Sequence, residues 1–313
     1  MSKRTRQLRH PFERAAIHLA MAVIPRLPRY GVLALAKIGG RAGYLFDSRS
    51  RRIGLANLDV AFGDTRTAEE KKQILKTSFV TMVRTLLDTF WFAHHSGKRL
   101  DKYVVLDDSS KVFFQDKAHI CITAHFGNWE IIGQMSGHKQ LPLHSIATPV
   151  KNELVNKHFI RAREATGQTI IPRKGALRKL LGILRKGGKT AFLADQNTSE
   201  NNGGIWVDFF GLPATVTAAP ALLSGRTGAE ILMGFCSPLP GGYYRIYSTG
   251  TFDPPAETGE ASIRRLTEQI TQVTEKEIRE HPEYWLWMYK RWKTHQPGDD
   301  PTKYPCYKKS RPQ

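Results

Sequence analysis

The chain has 313 residues and is 41% hydrophobic, enough for one large α/β domain or one such domain with a helical extension. Lys and Arg number 47 against 28 Asp and Glu, a net charge of +19 that asks for an anionic partner: nucleic acid, an anionic membrane surface or an acidic carrier protein. Zinc-finger spacing, an aromatic RNP-like strand and a helix-turn-helix signature are all missing, so the nucleic-acid reading has only the charge behind it. Cys121, Cys236 and Cys306 are far apart and odd in number, which argues against a disulfide framework or a zinc site and fits a reducing compartment.

The first ten residues are basic and polar. Pro11 then opens an apolar helix through about Ile24, closed by Pro25. At roughly 14 residues it would be about 21 Å long, short of a hydrocarbon core of about 30 Å. It also carries Glu13, Arg14 and His18, and Arg26 and Arg29 follow at once without a small-residue cleavage site. Neither a transmembrane span nor a signal peptide fits. An interfacial helix with a basic collar and a core helix both remain open.

Residues 31–46 form a second helix, rich in small residues and glycines that suit close packing. Ser48 to Arg52 reads as a basic turn, and Asn57 to Phe62 as a helix end packed on the main domain. Thr67-Ala-Glu-Glu is an N-cap signature for a long helix to about His95, with a stripe that includes Ile74, Phe79, Val83, Leu86, Leu87 and Phe90. Phe90-Trp91-Phe92 suits either the core or the wall of an apolar groove.

From about Val104 strands alternate with helices. Strands are predicted at 118–124, 144–149, 169–172, 190–194, 205–210, 231–236 and 243–249, and helices at 129–137, 152–166, 174–186 and 217–227. Gly167, Gly187 and Gly228 stand where helices end. This pattern predicts an α/β fold with a mainly parallel or mixed sheet flanked by helices.

His125-Phe126-Gly127-Asn128-Trp129-Glu130 follows the first of these strands. Gly127 and Asn128 mark a tight turn, with Asn128 the expected N-cap of the next helix. Five residues apart on one helix, His125 and Glu130 would point roughly 140° apart; across a strand–turn–helix corner they can meet. A carboxylate that accepts one ring N–H would leave the other nitrogen as a general base. The plain structural reading is a core His beside a helix-start Glu. Asp195-Gln196 ends another strand, so Asp195 is expected near His125, where it would orient an arginine, hold a substrate hydroxyl or support the His/Glu pair, or else simply cap a turn.

Gly187-Gly188-Lys189-Thr190 looks like a phosphate loop but precedes a strand and misses the glycine spacing. With no HExxH motif either, no metal and no cofactor is expected. Asn197-Thr198-Ser199, formally a glycosylation sequon, is set aside for a chain whose cysteines fit a reducing compartment. Most of the charge around Arg161 to Lys186 reads as a solvated face. Phe209 to Thr215 is apolar with a Gly/Pro loop, and Phe210 is a candidate wall of an apolar pocket, with core as the alternative. Residues 261–280 form an amphipathic helix, and Pro282 to Lys293 joins three tryptophans to Lys290, Arg291 and Lys293, a mixture suited to a headgroup interface or a lid. The segment after Gln296 is polar and expected to be disordered.

His125 through Glu130 resembles the His-x4-acid motif of the glycerolipid and lipid A acyltransferases, in which Asp is usual for the glycerolipid branch and Glu for the lipid A late acyltransferases. Four further stretches resemble that second branch in its order: Asn57 to Phe62, Ala194-Asp195-Gln196, Phe209 to Thr215, and Pro282 to Lys293, the last being the most specific. Together they cover about residues 12–295. The resemblance implies a glycerol-3-phosphate acyltransferase-like α/β domain over residues 101–295, a helical N-terminal region over 1–100 with a basic arm and a membrane-associated helix, and a polar tail over 296–313. It implies a peripheral or monotopic enzyme at the cytoplasmic face of a bacterial inner membrane. The enzyme would move a fatty acyl chain from acyl carrier protein, or coenzyme A, to a hydroxyl of a lipid A precursor or related anionic glycolipid.

His125 would then be the base and Glu130 its partner. Arg163 and Arg173 align with arginines typical of the family and would hold phosphate on the acceptor or donor; Asp195, Gln196 and Phe210 would contact substrate. No nucleophile elbow is present for an acyl-enzyme. Two alternatives stay open: acylation of a lysophospholipid, a mannoside lipid or an aminolipid, and a non-catalytic basic protein that binds membrane or nucleic acid on a retained fold.

Overall fold

The computed structural model describes residues 17–147, 152–172 and 175–307. A helical segment over 17–23 (α1) leads into α2 (Arg29–Phe46), α3 (Ser48–Phe62), α4 (Ala68–Ala93) and α5 (Ser96–Tyr103). Then follow β1 (Val104–Leu106), β2 (His119–Thr123), α6 (Trp129–His138), β3 (Leu143–Ala147), α7 (Glu153–Glu164), β4 (Thr169–Pro172), α8 (Ala176–Arg185) and β5 (Lys189–Leu193). The hairpin β6 (Gly204–Phe209) and β7 (Leu212–Thr217), α9 (Ala219–Thr227), β8 (Glu230–Pro238), β9 (Tyr244–Phe252) and α10 (Glu260–Glu280) complete the order.

The main sheet runs β1-β9-β8-β2-β5-β3-β4. Strands β8, β2, β5, β3 and β4 are mutually parallel, as the alternation with helices predicts. β9 pairs antiparallel with β8, and β1 runs beside β9, so the sheet is mixed. A short connection, Leu239 to Tyr243, suffices for that antiparallel pair, whereas a parallel pair needs a crossover. The predicted strand at 205–210 lies outside this sheet, paired with Leu212–Thr217. Gly211 and Pro213 read as loop formers, but Phe210 and Gly211, at φ 57° and 77°, make the two-residue hairpin turn. Pro213 is tolerated because β7 has a free edge.

Helices α4, α6 and α7 pack together on one side of the sheet and α8, α9 and α10 on the other. The central strands serve both layers. Ile120, Ile122, Ile231, Met233 and Phe235 pack with Leu180 of α8, Leu223 of α9 and Ile263 of α10. Cys236 packs with Ile131 and Met135 of α6. Strands covered on both faces are apolar at consecutive positions, which is why β2 and β8 are legible as short apolar runs.

Among the N-terminal helices, α4 starts on the expected capping box, with Thr67 and Glu70 satisfying each other's backbone N–H groups. Ser48 to Arg52 is not a turn but the first turn of α3, because the Asp47 carboxylate accepts the Ser50 N–H at 2.9 Å. Trp91 and Phe92 are core. Two corrections fall at the C-terminal end. Trp285, Trp287, Arg291 and Trp292 are fully buried, so the Pro282–Lys293 stretch is a structural wedge rather than a lid or a headgroup interface. Nor is the segment after Gln296 disordered as far as it is described: Tyr304 is buried, and the Tyr307 hydroxyl donates to Asn57 Oδ1 at 2.5 Å and accepts the Trp292 N–H at 3.1 Å.

Candidate active site

β2 and β5 are hydrogen-bonded neighbours with Thr123 opposite Leu193. The Ala194 N–H donates to the Thr123 carbonyl at 3.1 Å and carries the ladder one step further. Two residues beyond the register pair, His125 and Asp195 stand side by side at the carboxyl ends of adjacent parallel strands. β2 leads to α6 on one face of the sheet and β5 leads, through the hairpin, to α9 on the other, the strand-end position at which ligands bind in α/β sheets.

Asp195 holds His125 twice. Its Oδ1 lies 2.9 Å from Nδ1 of the ring, and its Oδ2 accepts the His125 backbone N–H at 3.1 Å. Trp285 Nε1–H donates to the same Oδ2 at 2.8 Å. Burial works against the charge on Asp195, but the imidazole and these hydrogen bonds outweigh it and hold the carboxyl below its ordinary range. An ionised Asp195 can only accept, so the ring donates its Nδ1–H to the carboxylate and Nε2 carries the lone pair. Nε2 has Gln196 Nε2 at 3.4 Å, and the ring is 20% exposed, so a substrate can reach it. Trp129 packs edge-on against the ring at 5.0 Å.

Glu130 does not serve His125. Its carboxylate takes a two-pronged bond from Arg163 of α7, at 2.6 and 2.9 Å, and a third from Trp129 Nε1–H at 3.0 Å. The guanidinium fork matches both carboxylate oxygens, which a ring N–H cannot do. Arg163 loses solvation, but the Glu130 charge more than compensates and raises its pKa. Of the sequence-predicted residues, then, His125, Asp195 and Gln196 converge, while Glu130 and Arg163 form a second pair one residue from Trp129. Phe210 is buried among Phe62, Trp287 and Trp292 and is part of the core. Arg173 lies outside the described residues.

The turn that carries His125 is tied on every side. The Leu286 N–H donates to the His125 carbonyl at 3.1 Å, the Gly127 N–H to Tyr284 O and the Asn128 N–H to Cys236 O, each at 2.9 Å, and Thr85 Oγ1 to the Gly127 carbonyl at 2.9 Å. Asn128 stands at the start of α6 without capping it; its amide instead reaches Asp88 Oδ2 at 3.4 Å. Asp88 is fully buried and answers Arg29 of α2 and Tyr244 of β9. Asn57 donates to the Trp287 and Tyr289 carbonyls, both at 2.7 Å, and so holds the tryptophan wedge from α3.

Trp285, Asp88 and Asn57 were not predicted as supports. Trp285 and Asn57 sit in family-like stretches, but nothing in their spacing assigns a partner; Asp88 carries no signal beyond an acid on an otherwise mixed helix face. Burial pushes the Cys121 thiol up to about 12 and raises the Cys236 thiol as well, so neither is a thiolate nucleophile. No group of metal-ligating side chains occurs among the described residues.

An imidazole oriented by a carboxylate, with Nε2 partly open to solvent, is able to move a proton, and comparison with known proteins gives that chemistry a setting. A model of the bacterial lipid A biosynthesis acyltransferases matches residues 1–294. The lipid A biosynthesis palmitoleoyltransferase of Escherichia coli is 25% identical over 274 residues, 85% of this chain and 87% of that protein. A phosphatidylinositol mannoside acyltransferase of Mycobacterium tuberculosis is 25% identical over 173 residues, 54% of this chain and 52% of that one. Among solved structures, a 1-acyl-sn-glycerophosphate acyltransferase of Thermotoga maritima aligns with a TM-score of 0.38 and 17% identity, covering 79% of this chain and 96% of that chain. The motif order, the built His125–Asp195 pair and a match that runs through almost the whole chain agree: this protein belongs to the bacterial lipid A biosynthesis acyltransferase family.

Proposed function

We propose that this acyltransferase moves a fatty acyl chain from an acyl carrier protein or coenzyme A thioester to a hydroxyl of a lipid A precursor or related anionic glycolipid. The reading rests above all on the His125–Asp195 pair at the carboxyl ends of two adjacent strands in a chain of this family. His125 Nε2 takes the proton of the acceptor hydroxyl as its oxygen attacks the thioester carbonyl. The tetrahedral intermediate then collapses, the C–S bond breaks, and the imidazolium returns its proton to the departing thiolate. The products are an ester and a free thiol, and no acyl-enzyme is needed. Asp195 keeps Nδ1 as the protonated nitrogen and offsets the charge that develops on the ring.

A cleft of about 710 Å³ runs along α7, and Lys157 and Arg161 in its lining are matched there by Glu153 and Glu164. Arg163, on the same helix, has its charge committed to Glu130, and so orients the wall of the site rather than offering a free cation. Catalysis takes place at the cytoplasmic face of the inner membrane, on a peripherally attached enzyme. No helix among the described residues is long and apolar enough to cross a membrane.

The test is lipid mass spectrometry on a bacterium that lacks its late acyltransferases, with and without this chain. A lipid A species heavier by one acyl chain, absent with a folded His125→Ala variant, is the expected result. The M. tuberculosis relative supports one other acceptor, a mannoside lipid. An added chain on that class or on a phospholipid, with lipid A unchanged, would reject the acceptor and keep the mechanism. Full activity of His125→Ala would reject the mechanism.

A further inference from the structure

Helix α2 is built inside out. In an ordinary surface helix the large apolar side chains face the core and the small or polar ones face water. Here the side against α4 is lined by Val32, Ala36 and glycines, so close that a Cβ on Gly40 would stand 2.4 Å from the Val80 Cα. The opposite side shows Tyr30, Leu35, Ile38, Leu45 and Phe46, exposed by 77, 43, 65, 62 and 85%. Leu19 and Val23 of α1 extend the surface at 65 and 43%. Only Val105, Phe114, Leu177 and Tyr243 are comparably exposed among the other large apolar side chains described, and they are scattered. Concentration on two consecutive helices marks a surface with a partner.

Charge selects the partner. Lys37 and Arg41 are exposed along the edge of the stripe, Arg26 and Arg49 are exposed at its two ends, and α2 has no Asp or Glu. Asp47, just past its end, is engaged in capping α3. A second copy docked through a two-fold axis would set these cations against their own equivalents with no carboxylate on the helix to answer them. A bilayer with anionic headgroups takes the apolar side chains into the acyl boundary and pairs the cations at once. α2, at 18 residues, is about 27 Å long and lies along α4, the geometry of a helix in the interface plane.

We propose that the outward face of α2, continued by Leu19 and Val23, is the surface on which the protein rests in the interface of an anionic bilayer. The sequence alone points for membrane contact to the helix from Pro11 through about Ile24; the structure adds a larger face that lies behind it. α4 stands between this face and the active-site turn, which it holds through Thr85 and Asp88, so docking also fixes how far His125 sits from the lipid surface. The inference does not rest on the acyl-transfer reading, because binding is measured without donor or acceptor.

The experiment is flotation of the full-length chain with vesicles of phosphatidylethanolamine and phosphatidylglycerol, and with vesicles of phosphatidylcholine alone. The wild type is expected to float with the anionic vesicles. Ile38→Asn combined with Leu45→Asn, both at exposed positions and so compatible with folding, should lower the partition coefficient by at least about ten-fold. Lys37→Glu with Arg41→Glu should remove the preference for phosphatidylglycerol. An unchanged thermal transition establishes that each variant is folded. Undiminished flotation of the Ile38→Asn/Leu45→Asn variant overturns the proposal, as does a wild type that does not float. A wild-type dimer in solution that the same pair dissolves, without vesicle binding, assigns the face to a second copy instead.

Discussion

Asp195 and Glu130 are both buried carboxylates, one beside His125 and one five residues after it, and what separates them is the partner each has taken. Glu130 spends both oxygens on the Arg163 fork and Trp129, while Asp195 spends one oxygen on the ring. Sequence made His125 and Asp195 visible as residues at strand ends, yet which carboxylate meets the imidazole depends on β2 and β5 being sheet neighbours, and strand order is not written in local spacing. The two acids therefore differ in expected kinetics. Asp195→Asn keeps the shape but offers an amide where the Nδ1 proton needs a carboxylate, so kcat should fall by about 10²–10⁴ with KM little changed. Glu130→Gln should act mainly on KM, by loosening Arg163 and the Trp129 side of the site. Steady-state kinetics on both variants decides the matter. A kcat loss for Glu130→Gln as large as that for Asp195→Asn would return Glu130 to the role that the His-x4-acid spacing suggests.

At the scale of elements, the active-site turn is held by pieces distant in the chain: α4 through Thr85, β8 through Cys236, and the tryptophan wedge through Tyr284 and Leu286. Gly127 is where they meet. Its φ of 55° is open to glycine, and a Cβ there would come 1.9 Å from the Cys236 carbonyl oxygen. Gly127→Ala should thus separate the turn from β8 and cost stability beyond the roughly 1 kcal/mol of ordinary backbone effects, with acyl transfer lost even in the fraction that folds. Denaturant midpoints and turnover of the purified variant measure the two parts; a variant with wild-type stability and rate would show that the turn can move freely. The elements themselves were largely legible, because capping boxes, apolar runs and helix-ending glycines act locally: Gly167, Gly187 and Gly228 all take positive φ. The wedge was not. Three tryptophans among lysines and arginines look like an interface until α3, α4 and the hairpin close over them, and a fully buried Arg291, bonded to the Thr215 carbonyl at 3.1 Å and packed 4.8 Å from the Phe209 ring, has no sequence signature.

For the molecule as a whole, the positive charge of +19 has an internal consequence as well as a surface one. His119 opens β2 with its ring wholly buried, and neither ring nitrogen has a hydrogen-bond partner. Burial first, then Lys189 and Lys117, push its pKa from the usual 6.5 down to about 4, against the weaker pull of Glu230, whose Oε2 is 3.8 Å away. The imidazole is therefore neutral in the folded protein over a range in which the unfolded chain binds a proton. Stability rises with pH wherever the unfolded state holds more protons, so this contribution is complete above pH 6.5, is lost as pH falls from 6.5 towards 4, and is level below that. The slope it adds is at most about 1.4 kcal/mol per pH unit. Leu at this position fills much of the same space and cannot titrate, while Lys117 keeps its 2.7 Å bond to Glu230. Unfolding by urea at a series of pH values should show the wild type losing stability between pH 6.5 and 4 more steeply than His119→Leu. Carboxylates that titrate in the same range act on both proteins alike and cancel in the difference. Parallel profiles would mean that His119 is protonated inside the fold, with Glu230 as its counter-charge, and that the lysines around the base of β2 do not govern it.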